Sequence, residues 1–577
     1  MANIMSLKSL KNKTSRNGFD LSSKRNFTAK AGELLPARCW EILPGDSWSI
    51  DLKSFTRTQP LNTAAFARMR EYYDFYFVPY DLLWNRANTA LTQMYDNPQH
   101  AVSIDPLSNF VLTGDMPYTT CEQIATYLNK VALDDGTERS ANYFSYNRGM
   151  CSAKLLEYLG YGNFYTYAQS KNNTWSSKPL MSNLQLNVYG LLAYQKIYAD
   201  YYRDSQWEKI SPSTFNVDYL NGTQMDMRLS DTINADYYNL FDLRYCNWQK
   251  DLFHGVLPRQ QYGDVAVVPG TVNSGSLSGD GTISFTSDPV LGLNNFKGLQ
   301  LDLKKDTSAV SEFSILALRQ MEFMQKWKEI TQSGNKDYKE QVEKHWNVSP
   351  GDGLSEMCTY LGGTTSSLDI NEVVNSNITG ENAADIAGKG TGVGNGRISF
   401  NSQGRYGLIM CIYHCLPLID YTTDMVSPVF TKVNAADYAI PEFDRVGMQG
   451  VPLVSLTNPL KSVLNNPVSV LGYAPRYIDY KTDVDSSVGA FKTSLKSWII
   501  SFDNMSVSGQ FGSIDENNQP TPSVNPLNYT MFKVNPNCLD PLFAVNVGDT
   551  VDTDNFLCSS FFDVKVVRNL DTDGLPY

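Results

Sequence analysis

The chain has 577 residues, 42% of them hydrophobic and 12% aromatic, which supplies a real core and excludes global disorder. Nine cysteines, at positions 39, 121, 151, 246, 358, 411, 415, 538 and 558, are odd in number and form no CxxC; this argues against a disulfide framework or zinc ribbon and for reduced thiols in a cytoplasm. The net charge of −12 is uneven: residues 1–30 hold seven basic side chains and one acid, leaving −18 on the rest, a pattern that suits a polyanion partner at one end.

In chain order, residues 1–30 read as a flexible basic arm. It is either a solvated tail or a nucleic-acid contact made by Lys8, Lys11, Lys13, Arg16, Lys24 and Arg25. Pro44, Gly45 and Asp46 signal a turn. After it Trp48, Ile50 and Leu52 alternate with Ser47, Ser49, Asp51 and Lys53, a half-buried strand. Residues 69–78 alternate too, with Met69, Glu71, Tyr73, Phe75 and Phe77 on one face and Arg70, Tyr72, Asp74, Tyr76 and Val78 on the other. Rings on both faces place this strand inside a sandwich or between subunits. Pro79 ends it, and Asp81 is positioned to cap a helix with the stripe Leu83, Ala87, Leu91, Tyr95.

Residues 96–180 are polar and weakly periodic, and read as long loops with short helices, one at 154–158 stopped by Gly160. A helix is expected over 184–202, with the stripe Leu184, Val188, Leu191, Leu192, Tyr198, Tyr202 and Ser182 as its cap. Residues 264–310 are rich in Gly, Ser and Asp, with a short alternating run at 282–285. A second helix is expected over 313–330; its stripe of Phe313, Leu316, Ala317, Phe323, Met324, Trp327 and Ile330 reads as core, and Gly334 as its stop. Residues 380–396 read as a glycine-rich loop before strands at 397–400 and 405–416; later strands are expected at 495–502, 532–534 and 561–567. Strands early and late, separated by long inserts, suit one antiparallel barrel with enlarged connections rather than a βαβ fold.

The wording of residues 57–84, RTQPLNTAAFARMREYYDFYFVPYDLLW, closely resembles a segment near the N-terminus of the major capsid proteins of microviruses, the small icosahedral single-stranded DNA phages, especially the gokushovirus-type branch. The residues that carry it include Arg57, Gln59, Pro60, Asn62, Tyr73, Phe75, Pro79 and Trp84. Further phrases agree: the PGD-containing first strand, YYRDSQWEK at 201–209, FDLRYCNWQKDLFHGVLPRQQYGD at 241–264, YLGGTTSSLDINEVV at 360–374, 471–498 and the terminal VVRNLDTDGLPY. The resemblance implies a mainly β fold, an eight-stranded antiparallel jelly-roll barrel with long loop insertions containing a few helices. Residues 31–577 would then be a single jelly-roll domain with insertions at about 96–250, 264–310 and 313–395. It further implies a T=1 icosahedral shell of identical subunits around a circular single-stranded DNA genome. The implied partners are a small basic DNA-packaging protein, a scaffolding protein, a pilot protein and a host surface receptor. An insertion projecting near the threefold axes is also implied.

Nothing in the sequence assembles a nucleophile with a base, so no enzyme and no cofactor is expected. There is no GxSxG, HExxH or Walker A loop. The four histidines, at 100, 254, 345 and 414, are scattered. Cys411, His414 and Cys415 look briefly like a metal box, but on a strand His414 faces away from the two cysteines. Asp549, Asp552 and Asp554 suit calcium or, more simply, solvated acidic turns; 571–574 reads the same way. No apolar run is long enough to span a membrane, and the N-terminus has no signal-peptide core. Production in a cytosol is therefore expected, and the resemblance implies assembly in the host bacterial cytoplasm into a virion capsid. The thirty-four tyrosines suit either subunit interfaces or an aromatic β core. The runner-up reading is a non-viral β-sandwich carbohydrate-binding module that presents tyrosines to a glycan.

Overall fold

The computed structural model describes residues 15–61, 65–92, 116–133, 148–171, 175, 181–208, 210–219, 240–259, 315–335, 337–374, 386–402, 404–421, 426–444, 447–452, 470–502, 532–543 and 554–572. Strands β1 (Asn17–Asp20), β2 (Ser23–Ala29), β3 (Leu35–Ile42), β4 (Ser47–Thr58) and β5 (Met69–Pro79) come early. A small ladder, β6 (Tyr118–Thr120) with β7 (Gln185–Asn187), lies among the inserted helices. Then come β8 (Thr359–Val374), β9 (Ile386–Asn401), β10 (Gly407–Pro417), β11 (Asp420–Tyr421), β12 (Met448–Pro452), β13 (Val470–Pro475), β14 (Ser501–Phe502) and β15 (Phe556–Arg568).

One antiparallel sheet runs β1–β15–β4–β9–β8–β5–β10–β3, with β2 also on β15. β1 and β2 take successive parts of β15, residues 565–568 and 556–562, so nine strands fill eight positions. The sheet folds over itself along β8 and β9. β8 pairs with β5 up to Leu368 and with β9 from Asp369 on. The result is the expected mainly β, jelly-roll-like fold with helices in its connections. The expected strands at 47–53, 69–78 and 405–416 are β4, β5 and β10. The strand expected at 561–567 belongs to a longer β15.

β4 shows why these residues form a strand: Trp48, Ile50, Leu52, Ser54, Thr56 and Thr58 are all buried, and the alternate residues are not. β5 puts Met69, Glu71, Tyr73, Phe75 and Phe77 into the fold interior. There Phe75 meets Phe562 of the opposite sheet (centroids 6.4 Å apart) and the Tyr73 hydroxyl lies 2.9 Å from Ser560 Oγ. Its other face is covered by residues 198–202, where the Tyr76 ring packs at a tilt against Tyr201, centroids 4.9 Å apart, and Asp74 accepts the Tyr202 hydroxyl at 3.0 Å.

Large residues fill one end of this interior and small ones the other. Trp40, Trp48, Phe77, Phe400 and Phe562 pack together. Further along, β9 turns Gly390, Gly392, Gly394 and Gly396 inward, where the sheets close on each other. A Cβ on Gly392 would lie 2.6 Å from Leu368 Cδ2 and 2.8 Å from Glu71 Oε1. The glycine-rich loop expected over 380–396 is therefore corrected from residue 386 onward. It is a strand whose inner face has no room for side chains.

Glu71 sits in this tight end, fully buried. Burial raises its carboxyl pKa, against the pull of hydroxyl donors that include Ser366 and Tyr413. A raised folded-state pKa contributes stability below the ordinary carboxylate range and loses it as pH climbs through the raised value. Glu71→Gln is thus expected to stabilise the subunit at neutral pH. The gain should fade at acid pH; urea unfolding of both proteins at two pH values measures it.

Five further expectations are corrected. Residues 17–29 of the expected flexible arm are strands laid on β15. The helix expected after Pro79 is two short ones, α1 (Tyr80–Leu83) and α2 (Ala87–Thr92); Asp81 caps neither and instead binds Arg405. The helix expected over 184–202 starts later, as α6 (Tyr189–Ile197), because 185–187 pair with 118–120; a π-helical turn follows at Tyr198–Tyr202. Over 495–502 only Ser501–Phe502 pair, in parallel with β11. Residues 532–534 make an isolated bridge between Lys533 and Asn247 rather than a strand.

The remaining helices are α3 (Cys121–Leu133), α4 (Arg148–Leu159), α5 (Phe164–Gln169), α7 (Ile315–Gln332) and α8 (Tyr338–Trp346). α4 contains the expected helix at 154–158, and Gly160, at φ +96°, follows it in the left-handed region. Buried ion pairs fix α4 to the β framework. Lys154 Nζ lies 2.7 Å from Glu33 and 2.9 Å from Asp554, and Arg148 makes a two-pronged contact with Asp242 at 2.8 and 2.9 Å. The segments 264–310 and 375–385 lie outside the described residues.

Candidate interaction surfaces

Strand alternation sorts the basic candidates. Lys24 is exposed on the outward face of β2. Arg25, one residue on, points the other way: its guanidinium donates to the Tyr158 carbonyl at 2.5 Å and lies 5.8 Å from that ring. Arg25 is already engaged within the fold and is removed from the DNA-contact set. Arg16 is exposed and donates to Ser47 Oγ at 2.9 Å. Lys8, Lys11 and Lys13 lie outside the described residues.

The resemblance-carrying residues are mostly framework. Tyr73, Phe75, Pro79 and Trp84 are buried. The Gln59 backbone amide donates to the Asn555 carbonyl at 2.9 Å, Pro60 is exposed, and Asn62 lies outside the described residues. Arg57 alone of this group carries charge outward, its guanidinium 5.0 Å from the Phe55 ring.

Two regions present large apolar side chains to solvent. The first is the α7–α8 pair. Its expected stripe forms but is not core: Phe323, Met324 and Trp327 are exposed, as are Tyr338 and Trp346, the last at 77%. The stripe residues 313–318 lie outside the described side chains. The second region, residues 426–444, is a string of short turns. Ser427 caps one and Asn434 with Asp437 boxes another. Lys432, 3.6 Å over the Tyr480 ring, and Arg476, 5.6 Å from Phe443, tie it to residues 476–481. Yet Phe430 is 80% and Val433 82% exposed. Soluble monomers seldom leave apolar groups together in water, so such patches mark interfaces.

Sites for chemistry do not converge. His414 is buried, stacked 4.8 Å from Tyr72 with Tyr202 at its edge, and burial pushes its pKa down to about 3. Cys411 and Cys415 are buried on the opposite face of β10. None of the nine cysteines forms a disulfide. His254 meets Tyr421, whose hydroxyl donates to Asp251 at 2.6 Å. Asp554 serves Lys154, and Asp571 accepts from Ser15; Asp549, Asp552, Asp573 and His100 lie outside the described residues. Among the described residues no three His, Cys, Asp or Glu gather as a metal site, and no helix is long and apolar enough to cross a membrane.

Such a molecule is a jelly-roll-like β framework with helical insertions and several large apolar side chains exposed on α7, α8 and residues 426–444. The chain belongs to the capsid protein (F protein) family of phages, whose model it matches over residues 8–147 and 167–577. It is 22% identical over 278 residues to capsid protein VP1 of Chlamydia phage 1, covering 47% of this chain and 43% of that one. The match thus spans less than half of that relative's length. The microvirus-type resemblance carried by residues 57–84 agrees with both findings.

Proposed function

We propose that copies of this chain close into a T=1 icosahedral shell around a circular single-stranded DNA genome. Family membership gives the capsid role, and one observation carries the assembly: the exposed apolar surface around Phe430 and Val433, together with that of α7 and α8. A closed shell buries such surfaces by contacts that return on themselves, and permanent interfaces bury thousands of Å². The role is structural and calls for no reacting group. Cysteines without disulfides suit assembly in the host cytoplasm. A small basic packaging protein, a scaffolding protein, a pilot protein and a host receptor are the partners the resemblance implies.

Imaging the purified protein tests this directly. Closed particles of uniform diameter that contain single-stranded DNA support it; monomers with glycan affinity would favour the carbohydrate-binding alternative. The pair Phe430→Ser and Val433→Ser should leave subunit stability within about 0.5 kcal/mol, because both side chains face water. The same pair should abolish closed particles. Assembly at wild-type yield would remove this surface from the interface.

A further inference from the structure

The outward face of β2, β15, β4 and β9 brackets aromatic rings with cations. Register places Phe561 of β15 directly opposite Lys24 on one side and Lys53 on the other. Along β4, Phe55 stands between Lys53 and Arg57. Phe55 is 38% and Phe561 41% exposed, and all three cations face water. Lys389 of β9 adds a fourth, two residues beyond Thr391, the partner of Arg57. None of these four cations has a carboxylate in ion-pair reach among the described residues. The acids of this face border the cluster: Asp563, two residues from Phe561, and Asp20 are held by Lys565; Asp51, two residues from Lys53, pairs in register with Arg397; and Asp369 of β8 lies opposite Thr391. Neighbouring strands are about 4.8 Å apart and successive outward residues roughly 6.7 Å, so cations and rings alternate at the scale of single nucleotides.

The geometry points to this face as a platform for single-stranded DNA: Lys24, Lys53, Arg57 and Lys389 hold phosphates while bases stack on Phe55 and Phe561. The assignment rests on the proposed genome content. It replaces a contact confined to the N-terminal arm with one built by strands far apart in sequence. Its charge decides the occupant. A local cluster of positive charge on a chain of net −12 attracts a polyanion and repels a basic packaging protein. Stacking on exposed rings is indifferent to base identity, as enclosing a whole genome requires.

The test uses the full-length subunit and oligothymidylate. The pair Lys53→Gln and Arg57→Gln should reduce the slope of log affinity against log salt by about 1.4, at roughly 0.7 per phosphate contact. The pair Phe55→Ala and Phe561→Ala should weaken binding about thirtyfold or more, at roughly 1 kcal/mol or more per stacked base. The Lys53 and Arg57 substitutions should not move the unfolding midpoint, because both side chains are exposed; the two rings are partly covered, so their loss should lower it slightly and leave the salt slope unchanged. In DNA-filled particles, ultraviolet crosslinks should fall on residues 47–58 and 556–568. An unchanged salt slope, crosslinks elsewhere, or this face buried against a second copy of the chain overturns the site alone. Particles that hold no single-stranded DNA overturn the genome reading beneath it.

Discussion

Replacing Lys154 with methionine should destabilise the subunit by about 3–5 kcal/mol, the cost of leaving buried charge without its partner. Lys154 is the cation between two buried carboxylates, Glu33 and Asp554. Burial alone would pull its ammonium pKa down, but the two carboxylates reverse this and hold it well above the usual lysine value. Glu33 is pushed upward by burial and by Asp554, and held back by Lys154. In Lys154→Met that restraint is gone, and the folded state takes up a proton. By linkage the variant should then gain stability as pH falls, so its deficit should shrink between pH 8 and pH 5. Adding Glu33→Gln and Asp554→Asn should restore most of the loss, since this cluster then holds no unpaired buried charge. Chemical unfolding of the unassembled subunit measures all three proteins. A deficit that does not change with pH would contradict the buried-charge explanation.

Gly392→Val should cost about 3 kcal/mol, although valine ordinarily favours a strand over glycine by up to about 1 kcal/mol. The reversal follows from the space at β9. A side chain at 392 would enter the volume of Leu368 and Glu71, displacing a buried carboxylate from the Ser366 hydroxyl it accepts at 2.8 Å. Thr391→Val, one residue away and on the outward face, should be near neutral. If both substitutions prove equally mild, the sheets are farther apart at this end than the structure has them.

Legibility in the sequence followed burial. β4 and β5 were readable because water on one face, or packing on both, imposes a period of two on apolar residues such as Trp48, Ile50 and Leu52. Of β8 and β9 only the end of β9, expected as a strand at 397–400, was readable: at the tight end β9 turns Gly and β8 turns Thr364 and Ser366 toward the interior, so no apolar period of two marks them. The start of α6 was missed because residues 185–187 are claimed by a distant partner, 118–120, which no local pattern records. The stripe of α7 was read correctly as amphipathic and wrongly as core: periodicity shows that a face is apolar, not what covers it.

The charged face teaches the same lesson. Lys24 and Arg25 are neighbours in sequence and lie on opposite sides of a strand. Lys53, Phe55 and Arg57 share a face because they are two apart. That spacing was available in the strand read at 47–53, had it been followed to Thr58. Phe561 and Lys389 join them only through the register of β15 and β9, which the sequence does not state.

The claim on which the rest depends is that this β framework exists to pack against copies of itself. A density map of assembled particles at side-chain resolution tests it most directly. The account predicts Phe430, Val433 and Trp346 buried against neighbouring subunits, with each subunit retaining the β1–β15–β4–β9–β8–β5–β10–β3 sheet. Those side chains facing solvent in a closed particle, or no closed particle forming, would contradict it.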